Sequence, residues 1–223
     1  MDLSVIYYTA HLPKKQFAEN IRKQLLLSIG ELPLISVSHK PMDFGKNICV
    51  DMEPSTLTVY KQILVGAKEA ETEYVALAED DTLYPPQHFR VKPGPNVFAY
   101  NLNKWTLATY KPVYAMNRRR TNSCLIAPRE LLIEAIEERL DKFDGDAKEY
   151  KWLGEPGRDF YEKKLGITVR KAVEFYTSEP IVTFYHPNGL GYSRLGRRKQ
   201  LGKIRAFDLP YWGRAEETVK LWT

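Results

Sequence analysis

Apolar residues along this chain alternate between two rhythms, short unbroken runs and stripes at helical spacing. Leu3 to Thr9 (Leu-Ser-Val-Ile-Tyr-Tyr-Thr) is a short apolar run that predicts a strand. From Lys14 to Ile29, apolar Phe17, Ile21, Leu25 and Ile29 recur every fourth residue, which predicts a helix with one buried face. Pro33 to Ser38 reads as a second strand. Ser55 is an N-cap for a helix running to about Ala70, with Val59, Ile63, Ala67 and Ala70 on one side. Tyr74-Val75-Ala76-Leu77-Ala78 is a third strand, and it ends in three consecutive acids, Glu79-Asp80-Asp81. This β-α-β-α-β order predicts an α/β domain with a mostly parallel sheet and right-handed crossovers.

Beyond Pro85-Pro86 the pattern changes. Val97 to Tyr100, Trp105 to Tyr110 and Asn122 to Ala127 predict shorter strands. Pro128 opens a helix over Arg129 to Leu140, faced by Leu132, Ala135, Ile136 and Leu140. Residues 141–154 are charged and predict a loop. A short helix follows through Tyr161 to Lys164, then strands near Thr168 to Phe175 and over Ile181 to Tyr185. The segment from His186 to Gly213 reads as irregular, and Glu216 to Leu221 as a closing helix. There is no internal repeat and no low-complexity linker. One domain over 1–223 is the simplest account, with a nucleotide-type half at 1–90 and a mixed half at 91–223.

At 223 residues, with 14 Tyr, 9 Phe and 4 Trp, the chain has enough apolar material for one sizeable core and is not disordered by composition. No stretch is long and apolar enough for a membrane span. The start lacks a basic region before an apolar core, so it reads as the first strand rather than a signal peptide. Cys49 and Cys124 stand far apart without companions at metal spacing, which predicts reduced thiols and a cytoplasmic location.

The net charge of +5 is unevenly spread. Arg118-Arg119-Arg120 forms one cluster; Arg194, Arg197, Arg198, Lys199, Lys203 and Arg205 form another, interleaved with Gly191, Gly196 and Gly202. Such surfaces attract nucleic acid, acidic polymers or phosphorylated small molecules, and charge alone does not rank these.

The acid triplet is the strongest chemical signal. Ligands of open α/β sheets bind beyond the carboxyl ends of strands. Three acids there repel one another unless a cation or donors lie among them, and all-oxygen ligation suits Mg²⁺ or Mn²⁺. A solvated acidic turn is the plain alternative.

The order of elements and the Glu79-Asp80-Asp81 ending resemble the GT-A glycosyltransferases, whose metal-binding motif follows such a strand. Asn47-Ile48-Cys49-Val50, Tyr60-Lys61-Gln62-Ile63-Leu64 and His186-Pro187-Asn188 add a likeness to small phage-encoded glycosyltransferase-like proteins. The resemblance implies transfer of a sugar from a nucleotide-diphosphate donor, a UDP-sugar first, with Mn²⁺ or Mg²⁺ as cofactor. It implies Asp81 as metal ligand and Asp80 near ribose or sugar, with Glu79 also among the donor-binding residues. Tyr8 and Thr9 would lie near the base, His39 near base or ribose, and Ser55 and Gln62 near diphosphate or sugar. His186, after the strand Ile181–Tyr185, would be a second metal ligand, and Arg194, Arg197 or Arg198 would contact phosphate.

An inverting reaction also needs a general base, for which Glu155 and Asp159 are the candidates, with Trp152 as a stacking face. Each of these residues also has a structural reading as a cap, a helix-starting acid or a hydrogen-bonded polar group. The acceptor suggested by the phage likeness and the basic clusters is a hydroxylated base in DNA, of the 5-hydroxymethylcytosine type, in a host cytoplasm. A glycan or protein acceptor is the alternative. Two other classes stay open: a sugar-phosphate nucleotidyltransferase, disfavoured because Ala10-His11-Leu12-Pro13 after the first strand has no glycine, and a non-catalytic nucleic-acid-binding protein on the same scaffold.

Overall fold

A computed structural model describes residues 2–143, 153–189 and 202–222. Its centre is a seven-stranded sheet. Strand β1 (Leu3–Thr9) is buried along its whole length, as an unbroken apolar run requires. It pairs in parallel with β2 (Leu34–Ser38) on one side and with β4 (Tyr74–Glu79) on the other. β3 (Lys46–Cys49) extends the sheet beyond β2, also in parallel. On the other flank β9 (Leu125–Pro128) runs antiparallel to both β4 and β6 (Phe98–Asn101), and β10 (Ala172–Phe175) pairs in parallel with β6 at the edge. The order is β10-β6-β9-β4-β1-β2-β3, so the sheet is mostly parallel, as expected for this α/β class. Three of its strands come from beyond residue 90.

Helix α1 (Lys15–Ile29) buries Phe17, Ile21, Leu25 and Ile29. Helix α2 (Thr56–Glu69) begins at a capping box: the Ser55 hydroxyl accepts from the Thr58 N–H, and the Ser55 N–H donates to the Thr58 hydroxyl. It presses so closely on β1 that a Cβ added at Gly66 would lie 2.4 Å from Ile6 Cγ2. Helix α3 (Arg129–Lys142) starts directly from β9, with Pro128 at its cap. Helix α4 (Asp159–Leu165) is short and ends at Gly166 in the left-handed region.

A second sheet holds β5 (Thr82–Leu83), β7 (Lys104–Ala108), β8 (Tyr114–Met116), β11 (Ile181–Tyr185) and β12 (Arg205–Ala206), in the order β12-β8-β7-β11-β5. It packs over its own apolar cluster around Phe17, Trp105, Leu107, Val182 and Phe184. A small hairpin of β13 (Asp208–Leu209) and β14 (Gly213–Arg214) leads into α5 (Ala215–Thr218) and a closing 3₁₀ turn, Val219–Trp222.

Several elements depart from the periodicity reading. The run expected as a strand from Asn122 begins as a 3₁₀ turn over Asn122–Cys124, and pairing starts only at Leu125. The strand expected from Thr168 begins at Ala172. β3 has no apolar alternation because it is a half-exposed edge strand; Asn47 holds it by donating to the Ser36 and Ser38 hydroxyls. The loop expected at 141–154 is helical at its first two residues, and 144–152, with Trp152, lie outside the described residues.

Candidate functional site

The chain changes sheets at the acid triplet. β4 belongs to the central sheet and β5 to the second, so Asp80 and Asp81 form the link between them. β5 pairs antiparallel with β11 through Thr82 and Thr183, and the Phe184 N–H donates to the Asp81 carbonyl at 2.8 Å. That register carries the end of β11 to the acids: His186 Nε2 lies 3.4 Å from Asp81 Oδ2. The His186 ring is buried against Phe17 and Trp222, with centroids 5.9 and 5.0 Å away. Neither of its nitrogens has a hydrogen-bond partner among the described residues.

Around this junction lies a cavity of about 430 Å³. Its walls come from the carboxyl ends of β1 and β4, the first turns of α2, the inner face of β7, the segment 117–123, Glu155 and the end of β11. It is in the size range of small-molecule sites, at the strand ends where open α/β sheets bind ligands.

Glu79 and Asp80 are tied to β1. The Tyr8 hydroxyl donates to Glu79 at 2.6 Å and the Thr9 hydroxyl to Asp80 at 2.5 Å. Burial, and then the neighbouring Asp81 charge, push the Asp80 carboxyl up to about 7. The same two causes raise Glu79, partly offset by the Tyr8 hydrogen bond and the Lys104 ammonium. Asp81 is the acid left open, its side chain 20% exposed and bonded on one oxygen by the Thr82 hydroxyl.

The other sequence-derived candidates fall into three groups. Ser55 and Gln62 line the cavity but are occupied with structure: Ser55 caps α2, and Gln62 donates to the carbonyls of Thr9 and Val37, both at 2.9 Å, tying the ends of β1 and β2 together. Glu155 lies on the cavity wall and is ion-paired with Arg158 at 2.7 Å. Asp159 and His39 do not line the cavity. Asp159 is the exposed first residue of α4, paired with Lys163 across one helical turn. His39 lies outside the wall near His11, its two nitrogens buried without a hydrogen-bond partner among the described residues; burial lowers its pKa. Arg194, Arg197 and Arg198 lie outside the described residues.

The structure adds wall residues that periodicity did not single out, chiefly Lys104, Tyr60, Asn122 and Arg119. One signal was available: Lys104 and Thr106 alternate with Trp105 and Leu107, which marks a strand with one polar face. Read alone, such a face is solvent; here it is cavity.

A hard divalent ion fits the Asp81–His186 pair in part. A buried imidazole with no hydrogen-bond partner among the described residues, beside a partly open carboxylate, is a usable N/O donor set. Among the described residues no group of three or more His, Cys, Asp or Glu gathers to hold a metal, so this pair would be their contribution to it. Mg²⁺-type ions do bind through one or two protein ligands plus substrate phosphates and water.

Fold and site together define an α/β domain with an acid-lined cavity at the carboxyl ends of a mostly parallel sheet. No family model matches the sequence, and no curated protein does. Among solved structures, one similar chain is a glycosyltransferase involved in the glycosylation of the major capsid of PBCV-1, at 10% identity over 87% of this chain and 96% of that one, TM-score 0.48. Staphylococcus aureus TarS 1–349 is similar at 12% identity over 82% of this chain and 60% of that one, TM-score 0.49. The bifunctional IspDF from Campylobacter jejuni is similar at 11% identity over 80% and 50%, TM-score 0.42, so this chain spans half of that protein's length. These are likenesses of architecture.

Proposed function

We propose that this chain is a metal-dependent glycosyltransferase, moving a sugar from a nucleotide-diphosphate donor, a UDP-sugar first, to a hydroxyl acceptor. The observation that carries the reading is the meeting of Asp81 and His186, an open carboxylate and an imidazole with no hydrogen-bond partner among the described residues, on one wall of a nucleotide-sized cavity. Asp81 and His186 would hold Mn²⁺ or Mg²⁺, which stabilises charge on a departing diphosphate without proton transfer. The first turns of α2 face the cavity, and their N–H groups suit an anion there. Tyr8 and Thr9 hold Glu79 and Asp80 beside the sugar and ribose. Glu155 is the general base for the acceptor hydroxyl, held in place by its ion pair with Arg158.

For the acceptor we put first a hydroxylated pyrimidine in DNA, of the 5-hydroxymethylcytosine type. Arg118 and Arg119 are exposed, and Arg119 lies on the cavity wall, where basic side chains would meet phosphate. A base in duplex DNA would have to be flipped out to reach the cavity.

Calorimetry with a panel of sugar nucleotides, with Mn²⁺ and with chelator, tests the donor side. Binding that needs Mn²⁺ and disappears in Asp81→Ala is the expected result; metal-independent binding of nucleic acid alone would replace the enzyme reading with that of a binding protein. Transfer to hydroxymethylated but not plain DNA is expected for the acceptor. Transfer only to a glycan or protein hydroxyl would move the acceptor there.

A further inference from the structure

One cavity wall, around Lys104, is polar in an unusual way. Lys104, the first residue of β7, is 2% exposed, yet its ammonium has one hydrogen-bond partner among the described residues, the neutral Thr121 hydroxyl at 2.6 Å, with the Glu79 carboxylate near enough to act on it through charge. Three donors on a desolvated cation are costly to leave with a single neutral acceptor. Thr121 is engaged in turn with the Ser123 hydroxyl at 2.8 Å. Between them sits Asn122, 8% exposed, whose Oδ1 is buried with no hydrogen-bond partner among the described residues. Lys104, Tyr60, Asn122 and Ser123 all line the cavity.

This wall therefore lines the cavity with a cation short of acceptors and an amide oxygen short of a donor. A phosphate or carboxylate would satisfy Lys104 but leave the Asn122 oxygen facing negative charge. An apolar group would satisfy neither. Hydroxyl groups satisfy both, because each accepts from an ammonium and donates to an amide oxygen. We propose that Lys104 and Asn122 form the specificity subsite for the hydroxyls of a neutral hexosyl group on the donor. The subsite rests on the glycosyltransferase reading above and supplies what that reading leaves open, the residues that choose the sugar. A site built to hydrogen-bond a hydroxyl rejects analogues lacking it more strongly than an apolar pocket does, since its buried groups are then left unpaired.

The test compares UDP with neutral UDP-hexoses and a UDP-hexuronic acid by calorimetry in Mn²⁺, on the full chain and on Lys104→Met and Asn122→Ala. Lys104→Met keeps the stem and removes the charge, whereas Asn122→Ala leaves the charge in place, so either variant that folds by circular dichroism decides the question. The wild type is expected to bind one neutral UDP-hexose more tightly than UDP. Each variant is expected to hold UDP within about twofold and to lose about tenfold or more for that hexose. Loss of UDP and UDP-hexose alike would make this a phosphate wall and overturn the proposal. So would tightest binding of the hexuronic acid, equal wild-type affinity for UDP and every sugar nucleotide, or unchanged variants. A wild type that binds no sugar nucleotide, across UDP, GDP and dTDP donors, overturns the donor reading itself, an outcome distinct from all of these.

Discussion

His186 and Asp81 stand 3.4 Å apart because β5 and β11 share one antiparallel register, and the Phe184 N–H, two residues before the histidine, is bonded to the Asp81 carbonyl. The imidazole cannot turn away, since Phe17 and Trp222 pack against it. The pair is a product of sheet pairing, and both members are needed for the ion they are proposed to hold.

Asp81→Ala and His186→Ala should each weaken Mn²⁺-dependent nucleotide binding by about tenfold or more. Asp81 is partly open, so its variant should unfold close to the wild-type temperature, while His186→Ala also leaves a cavity beside Phe17 and Trp222 and should melt lower. Calorimetry and thermal melts read both. Unchanged metal dependence in Asp81→Ala would remove Asp81 from the ion site.

The Ser55 hydroxyl is committed to the Thr58 N–H. Ser55→Ala should therefore cost about 1 kcal/mol through the lost cap, with UDP affinity changing by less than about twofold. A large loss of affinity without loss of stability would return Ser55 to the ligand.

Arg139 and Glu162 form a fully buried ion pair at 2.7 Å. Arg139 also donates to the carbonyls of Ala135, Gly154 and Glu155, and Glu162 accepts from the Gly157 and Arg170 N–H groups. Arg139→Leu should cost about 3–5 kcal/mol, because it strands a buried carboxylate. The double variant with Glu162→Leu should recover part of that in denaturant melts. A double variant as unstable as the sum of the singles would mean the two residues act independently.

His88 is buried among Tyr84, Phe89 and Phe175, and burial holds its imidazole down to about 3. Between about pH 3 and the ordinary value near 6.5, the unfolded chain binds a proton that the native state refuses. Stability from this group therefore rises with pH through that window, by up to about 1.4 kcal/mol per pH unit, and levels off above it. His88→Phe should remove that slope. The difference in unfolding free energy between wild type and variant, measured at several pH values, isolates it from the carboxylates; a pH-independent difference would show that His88 does not titrate on unfolding.

Much of this protein is legible in its residue order. The unbroken apolar runs of β1 and β4, the helical stripe of α1 and the Ser55 cap of α2 are local patterns, and short-range sterics and hydrogen bonding settle them whatever the rest of the chain does. The acids at the end of β4 announce a charged strand end for the same reason. Edge strand β3 and two-residue β5 were not legible, because their pairing partners rather than their own composition make them strands.

The cavity belongs to the tertiary structure. Whether Lys104 and Thr106 on one face of β7 meet water or a ligand depends on what packs across from them, and only the second sheet decides it. The same holds for Glu155 and Asp159, two acids near one another in sequence. The backbone turns held by Arg139 and Glu162 put the first on the wall and leave the second exposed on a helix. Local sequence determined which residues carry charge and where strands end; long-range strand register determined which of those charges face one another.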